Sequence, residues 1–306
     1  MASLAVGGCV YRCNAVFKLS STGKGLRSSS GAVFVSSGRK IMSDLYLVEA
    51  DNGCSFTDRV NRNLPAWAEH QIKAWDLTAF QQAEDFMTHH YWTDKGSINV
   101  FRIVGTDHPQ YAGMTWSELL QRGKRMDINI PLIEKKPEYY TDASVLHTSM
   151  SYVSLDGIHW YISADGNHRS CLARFYFHLL GHSVTQLHNV SLSQYRADTV
   201  FMSACQDVLR LAPALRQKGV YLTLTAHRLP VSREDTPGWK LDTFKTQVSV
   251  ILDNVASDDD IRTFELHSAT QAQHLLRQLE SELMQPAVAS AAPWWKRLLP
   301  FRREGV

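Results

Sequence analysis

The chain has 306 residues, 44% hydrophobic and 20% charged, which suits a soluble globular protein with enough apolar material for its own core. No run of about 18 apolar residues occurs, which argues against a transmembrane helix. The formal net charge of +2 is uneven: residues 1–41 carry six basic side chains and no acid, leaving 26 basic against 30 acidic residues in the remainder. That mildly acidic body excludes a protein that coats DNA through bulk positive charge.

Residues 1–41 hold eight serines and no apolar period. A basic, acid-poor, serine-rich stretch fits a transit peptide or a disordered extension. It also fits a mis-assigned start, with the chain proper opening at Met42, where composition changes abruptly; this last reading is preferred. A secretory signal is disfavoured, since no apolar stretch of about 7–15 residues follows the charges. The five cysteines, Cys9, Cys13, Cys54, Cys171 and Cys205, form no CxxC pair. An odd, scattered set points to reduced thiols and a cytoplasmic location.

Residues 42–125 read as a mainly helical N-terminal portion. Asp76 suits the N-cap of a helix from Leu77 to about Thr88. Thr115 and Glu118 match a capping box. Residues 101–104 are a strand candidate between Gly96 and Gly105. Ile128, Ile130 and Leu132 alternate, so 127–134 reads as a strand, with Pro131 suggesting an edge or an end. Glu134 closes it, beside Lys135 and Lys136.

In 158–164, Ile158, Trp160, Ile162 and Ala164 fall on one side and His159, Tyr161 and Ser163 on the other, as in a strand with one face in a core. Residues 170–180 are too apolar for a loop and end at Gly181, so they read as a mostly buried helix. Between strand and helix lies Asp165-Gly166-Asn167-His168-Arg169. Such a turn aims backbone N–H groups and the positive helix end at one point, which is where phosphate binds. Arg169 adds a fork suited to phosphate oxygens.

This five-residue turn, with Ala173 four residues on, resembles the signature of the ParB/sulfiredoxin superfamily, which includes ParB-like nucleases and free serine kinases. The likeness covers roughly residues 127–190. It implies an α/β (α+β) core at 126–195, a mixed sheet with surrounding helices, and added N- and C-terminal parts. It implies a nucleoside triphosphate (ATP or CTP) with Mg²⁺, its phosphates on Gly166, Asn167, His168, Arg169 and Ser170. His168, Asp165 and Glu134 are the catalytic candidates; Glu138 and Asp142 are weaker alternatives to Glu134, which as a plain surface residue would do nothing. Asn167 stands where sulfiredoxin has its cysteine, which disfavours sulfinic-acid reduction. The leading expectation is a ParB-like nucleotide-binding protein acting on DNA, as nuclease or nucleotide hydrolase, in a plasmid or other mobile element. A small-molecule phosphotransferase and a non-catalytic adaptor are the alternatives.

His178 and His182 share the i, i+4 spacing of many zinc ligands but lack the glutamate of a HExxH motif. Residues 196–285 read as a helix to Gln217 interrupted by Pro213, two strands at 219–225 and 243–252 that could form a long hairpin, and a helix capped near 258–260 and running to Met284. No helix-turn-helix stands out, which lowers the case for reading a DNA sequence. After an Ala/Pro/Ser linker, the tail of 286–306 sets Trp294, Trp295, Leu298 and Leu299 on one face between basic residues, which suits a partner groove or a membrane surface.

Overall fold

The computed structural model describes residues 54–254 and 261–284. The leader, the aspartates at 258–260 and the tail with Trp294, Trp295, Leu298 and Leu299 lie outside the described residues. All described residues belong to one unit by their contacts. Among them no helix is long and apolar enough to cross a membrane.

Among the described residues nine strands make one mixed sheet: β1 (Lys73–Ala74), β2 (Met87–Asn99), β3 (Ile103–Thr106), β4 (His147–Ser154), β5 (Trp160–Ile162), β6 (Gln186–Ala197), β7 (Val220–Asp235), β8 (Lys240–Asn254) and β9 (Arg262–Leu266). The order is β1-β3-β5-β4-β6-β2-β8-β7, with β9 on β8. β1, β3 and β5 run parallel, and β5 meets β4 antiparallel. The helices are α1 (Phe56–Arg62), α2 (Leu77–Ala83), α3 (Trp116–Arg122), α4 (Met126–Lys135), α5 (Glu138–Thr141), α6 (Asn167–Leu179), α7 (Thr199–Leu209), α8 (Ala212–Gln217) and α9 (Ala269–Met284). The α/β (α+β) class is therefore the one that the sequence suggests.

Two apolar cores divide the fold. The first gathers Phe56, Ile103, Trp116, Leu119, Tyr152 and Phe175 from α1, α3, α6 and the sheet. The second gathers Phe86, Phe201, Val208, Val250, Leu275 and Leu279 under the β7–β8 hairpin and its helices. At the centre of the first lies α6. Every residue from Ser170 to Phe177 is buried, so the helix is apolar-packed all round rather than on one stripe. Each large side chain so buried contributes about 1.5–3 kcal/mol. Gly181, at φ 63°, ends the helix as the sequence suggests.

Several expected boundaries move. Residues 127–134 are not a strand but the body of α4. Met126, Ile130 and Ile133 turn inward at helical spacing, while Ile128 and Leu132 are 58% and 54% exposed, so the apparent alternation had mixed the two faces of one helix. Pro131 sits inside that helix. The 42–125 portion is less helical than expected, because β2 takes 13 residues of it. Asp76 does cap α2, but that helix stops at Ala83. Val100–Arg102 form a 3-10 turn, so β3 starts at Ile103. β5 is shorter than 158–164, since Asp156 Oδ1 draws the N–H groups of Ile158 and His159 into a turn. Strand β6 runs to Ala197, and Pro213 opens α8 instead of interrupting one long helix. The last helix begins only at Ala269, after β9. The Thr115–Glu118 capping box and the long hairpin are both present.

Candidate phosphate cleft at the start of α6

The chain leaves β5 at Ile162 and enters α6 within four residues. The turn is held by the sheet: Ser163 N–H donates to Ser151 O at 2.9 Å, and Ser151 N–H donates to Asp165 O at 3.2 Å. Gly166 then takes φ 122°, a backbone conformation that side-chain-bearing residues rarely adopt. It occupies the N-cap of α6, and no side chain caps that end. The first-turn N–H groups of a helix have no acceptor within the helix itself, so they face whatever lies in front.

At this end lies an open cleft of about 270 Å³, lined by His108, Gln110, Tyr111, Lys124, Arg125, Ala164, Asp165, Asn167 and His168. Its walls are the segments that follow the carboxyl ends of the parallel strands β3 and β5, the usual place for a ligand crevice in an α/β sheet. Thr106, at the end of β3, ties the walls together. Its hydroxyl donates to Asn167 Oδ1 at 2.8 Å and accepts from His108 N–H at 3.0 Å. Lys124 and Arg125 come from the tight α3–α4 turn. Gly123 lets that turn approach, because a Cβ there would lie 2.6 Å from Leu119 O and 3.1 Å from His168 Cδ2.

His168 Nε2 and the Tyr111 hydroxyl are 3.1 Å apart. Burial, then the charge of Arg125, holds the His168 imidazole below its ordinary value, so it is neutral near pH 7. Two lysine and arginine cations, one helix N-terminus and one neutral imidazole thus face a common volume. Such a set binds phosphate oxygens.

The expected site residues separate into three groups. Asn167 and His168 line the cleft, with Gly166 and Asp165 forming its turn. Arg169 does not line it. Its guanidinium donates to Tyr139 Oη (3.1 Å), Ser149 Oγ (2.8 Å) and Asp165 Oδ2 (2.7 Å), so it braces the turn. Ser170 is fully buried, with its hydroxyl 2.8 Å from Tyr152 Oη and its N–H donated to Gly166 O at 2.7 Å, so neither group is left for a ligand. Glu134 sits elsewhere: its carboxylate accepts the N–H of Phe56 and so caps α1. Cys171 is a core residue whose thiol is pushed up by burial. Thr106, His108, Tyr111, Lys124 and Arg125 escaped the sequence reading. The tripeptide Gly123-Lys124-Arg125 was the available signal, but nothing local says which turn faces α6.

For Mg²⁺, the cleft offers one lining carboxylate, Asp165, and the described residues contain no cluster of three His, Cys, Asp or Glu able to hold a metal. A magnesium ion would therefore rest mainly on nucleotide phosphates and water, as it often does. No family model matches the chain, and no curated protein or solved structure is significantly similar to it.

Proposed function

We propose that this protein binds a nucleoside triphosphate, ATP or CTP with Mg²⁺, with the phosphates seated at the start of α6 between Lys124, Arg125 and His168. The observation that carries the reading is the uncapped helix N-terminus beside a cleft that Lys124 and Arg125 also line. The resemblance of 165–169 to the ParB/sulfiredoxin turn supports the same ligand. In this reading His168, neutral and oriented by Tyr111, takes a proton from water as it attacks phosphorus, while the P–O bond to the leaving group breaks and the departing oxygen takes a proton from solvent. The activity is that of a nuclease or nucleotide hydrolase working on DNA, as in ParB-like proteins of mobile elements. The open cleft argues against the small-molecule kinase, which needs its substrate shielded from water.

A second reading keeps the ligand and drops the chemistry. Asp165 is the one carboxylate lining the cleft, and it is already paired with Arg169 at 2.7 Å. That favours a non-catalytic adaptor whose partner binding depends on nucleotide. A thermal-shift screen of ATP, ADP, CTP and GTP, with and without Mg²⁺, tests the shared premise. Phosphate release then separates the two readings: turnover that His168→Ala abolishes supports the hydrolase, and stabilisation without turnover supports the adaptor.

A further inference from the structure

The other end of α6 carries a second constellation, unconnected with the cleft. His178 lies in the last turn, and His182 follows the Gly181 stop with φ 61°, a left-handed backbone uncommon outside glycine. Gly181 N–H donates to His178 O at 2.9 Å and His182 N–H to Phe177 O at 2.9 Å, so the chain folds back on the helix end. That fold brings His178 Nδ1 within 3.1 Å of His182 Nε2. The Nε2–H of His178 donates to Asn63 O at 3.2 Å, so its Nδ1 carries the lone pair and accepts from His182 Nε2–H; a metal between the rings replaces that shared proton, with His182 carrying its own proton on Nδ1 instead. Aromatic neighbours hold both rings: Trp67 meets His178 edge-on at 6.1 Å between centroids, and His182 packs on Phe101 at 4.7 Å.

We infer that His178 and His182 form a two-imidazole site for a first-row divalent transition metal, Cu²⁺ or Ni²⁺ above all, with water completing the coordination. Metal–imidazole bonds of about 2.0–2.1 Å to two nitrogens so spaced enclose an angle of roughly 95–100°. That is nearer the right angle of square-planar or octahedral Cu²⁺ and Ni²⁺ than the tetrahedral angle of zinc. The bond from His178 to a backbone carbonyl is the outer-shell contact that fixes the tautomer of ligating histidines. The site also faces the carbonyl end of α6, where the helix dipole favours a cation. About 15 Å of helix separates His178 from His168, so the metal and the proposed nucleotide occupy different ends of one rod.

Calorimetric titration of the full chain with Ni²⁺ alone tests this, against His182→Asn, which tolerates a left-handed backbone, and His178→Gln, which suits a helix. Circular dichroism checks that each variant folds, and His182→Asn, on an exposed turn, decides the matter by itself if His178→Gln does not. The expected result is one equivalent of Ni²⁺ bound by wild type that either variant weakens tenfold or more. Cu²⁺ bound at the same site should show two nitrogen couplings by electron paramagnetic resonance, reduced to one in His182→Asn. A wild type that binds no Ni²⁺, or a folded His182→Asn that binds it as tightly as wild type, overturns the inference and leaves an imidazole–imidazole hydrogen bond.

Discussion

Arg169 spends its guanidinium on neighbouring side chains and does not line the cleft. Its side chain makes three hydrogen bonds to other side chains, one of them to the cleft-lining Asp165, so its loss should act first on stability. Hydrogen bonds to a charged group contribute about 1.5–3 kcal/mol each, partly offset here by solvent at the exposed Asp165. Arg169→Ala should cost about 2–4 kcal/mol in urea unfolding, and a variant as stable as wild type would remove the bracing role. Gly166→Ala is a cleaner probe of the backbone. The nearest atom to its new Cβ would be Met150 Cβ at 3.5 Å, so space is available and strain is the whole cost. A loss of about 1–2 kcal/mol is expected from forcing a side chain into that conformation. The sequence made the turn legible because glycine, amide and imidazole are local signals. It left Lys124 and Arg125 unread because their role depends on where the α3–α4 turn packs, some forty residues from the motif. Arg174 is a similar case. It lies 5% exposed between the Trp116 and Trp67 rings, 4.2 and 4.5 Å from their centroids, a sandwich with no signature in the sequence.

Helix α4 turns the same lesson into a test of register. If Ile128 and Leu132 face solvent, Ile128→Lys should change stability by under about 0.5 kcal/mol, whereas Ile133→Ala should cost about 2–5 kcal/mol. Chemical denaturation of both variants measures this, and the opposite ranking would restore the strand. The misreading has a physical cause. Over eight residues, Ile128, Ile130 and Leu132 match period two, while the inward set of Met126, Ile130 and Ile133 needs a wider window to show period 3.6. Helix α6 was readable because its run from Ser170 to Phe177 is fully buried, and β5 because Trp160 and Ile162 are buried while Tyr161 between them is only half-buried. β2 was missed because its polar residues obscure alternation: its burial pattern is mostly intermediate, with Trp92 packed under Lys240 instead of in a core.

Across both cores, histidines set an acid limit on the fold. His90, His147 and His168 are each held below the ordinary imidazole value of 6.5, in every case by burial first. A base whose folded value is depressed contributes stability that is fully present above 6.5. That stability is lost as pH falls through the folded values, because the unfolded chain takes up the protons first. The urea midpoint should therefore drop between pH 7 and pH 5. His147 is 1% exposed and its Nδ1 has no hydrogen-bond partner, so His147→Gln should flatten part of that slope. A midpoint independent of pH over this range would contradict the burial of these rings. Asp156 titrates separately, since hydrogen bonds from His159, Ile158 and Ser154 overcome its burial and hold its carboxyl to about 2.

In the proposed function, the cleft at the start of α6 holds nucleotide phosphates through Lys124 and Arg125. Both residues are exposed, so removing either side chain should leave the fold intact. The direct measurement is calorimetric titration of wild type and Arg125→Ala with the nucleotide that stabilises the protein most. A charge-assisted bond of about 1.5–3 kcal/mol predicts affinity lower by roughly ten- to a hundredfold in Arg125→Ala, with an unchanged melting temperature for the free protein. Equal affinities in the two proteins, or a wild type that binds none of the four nucleotides, would contradict the account.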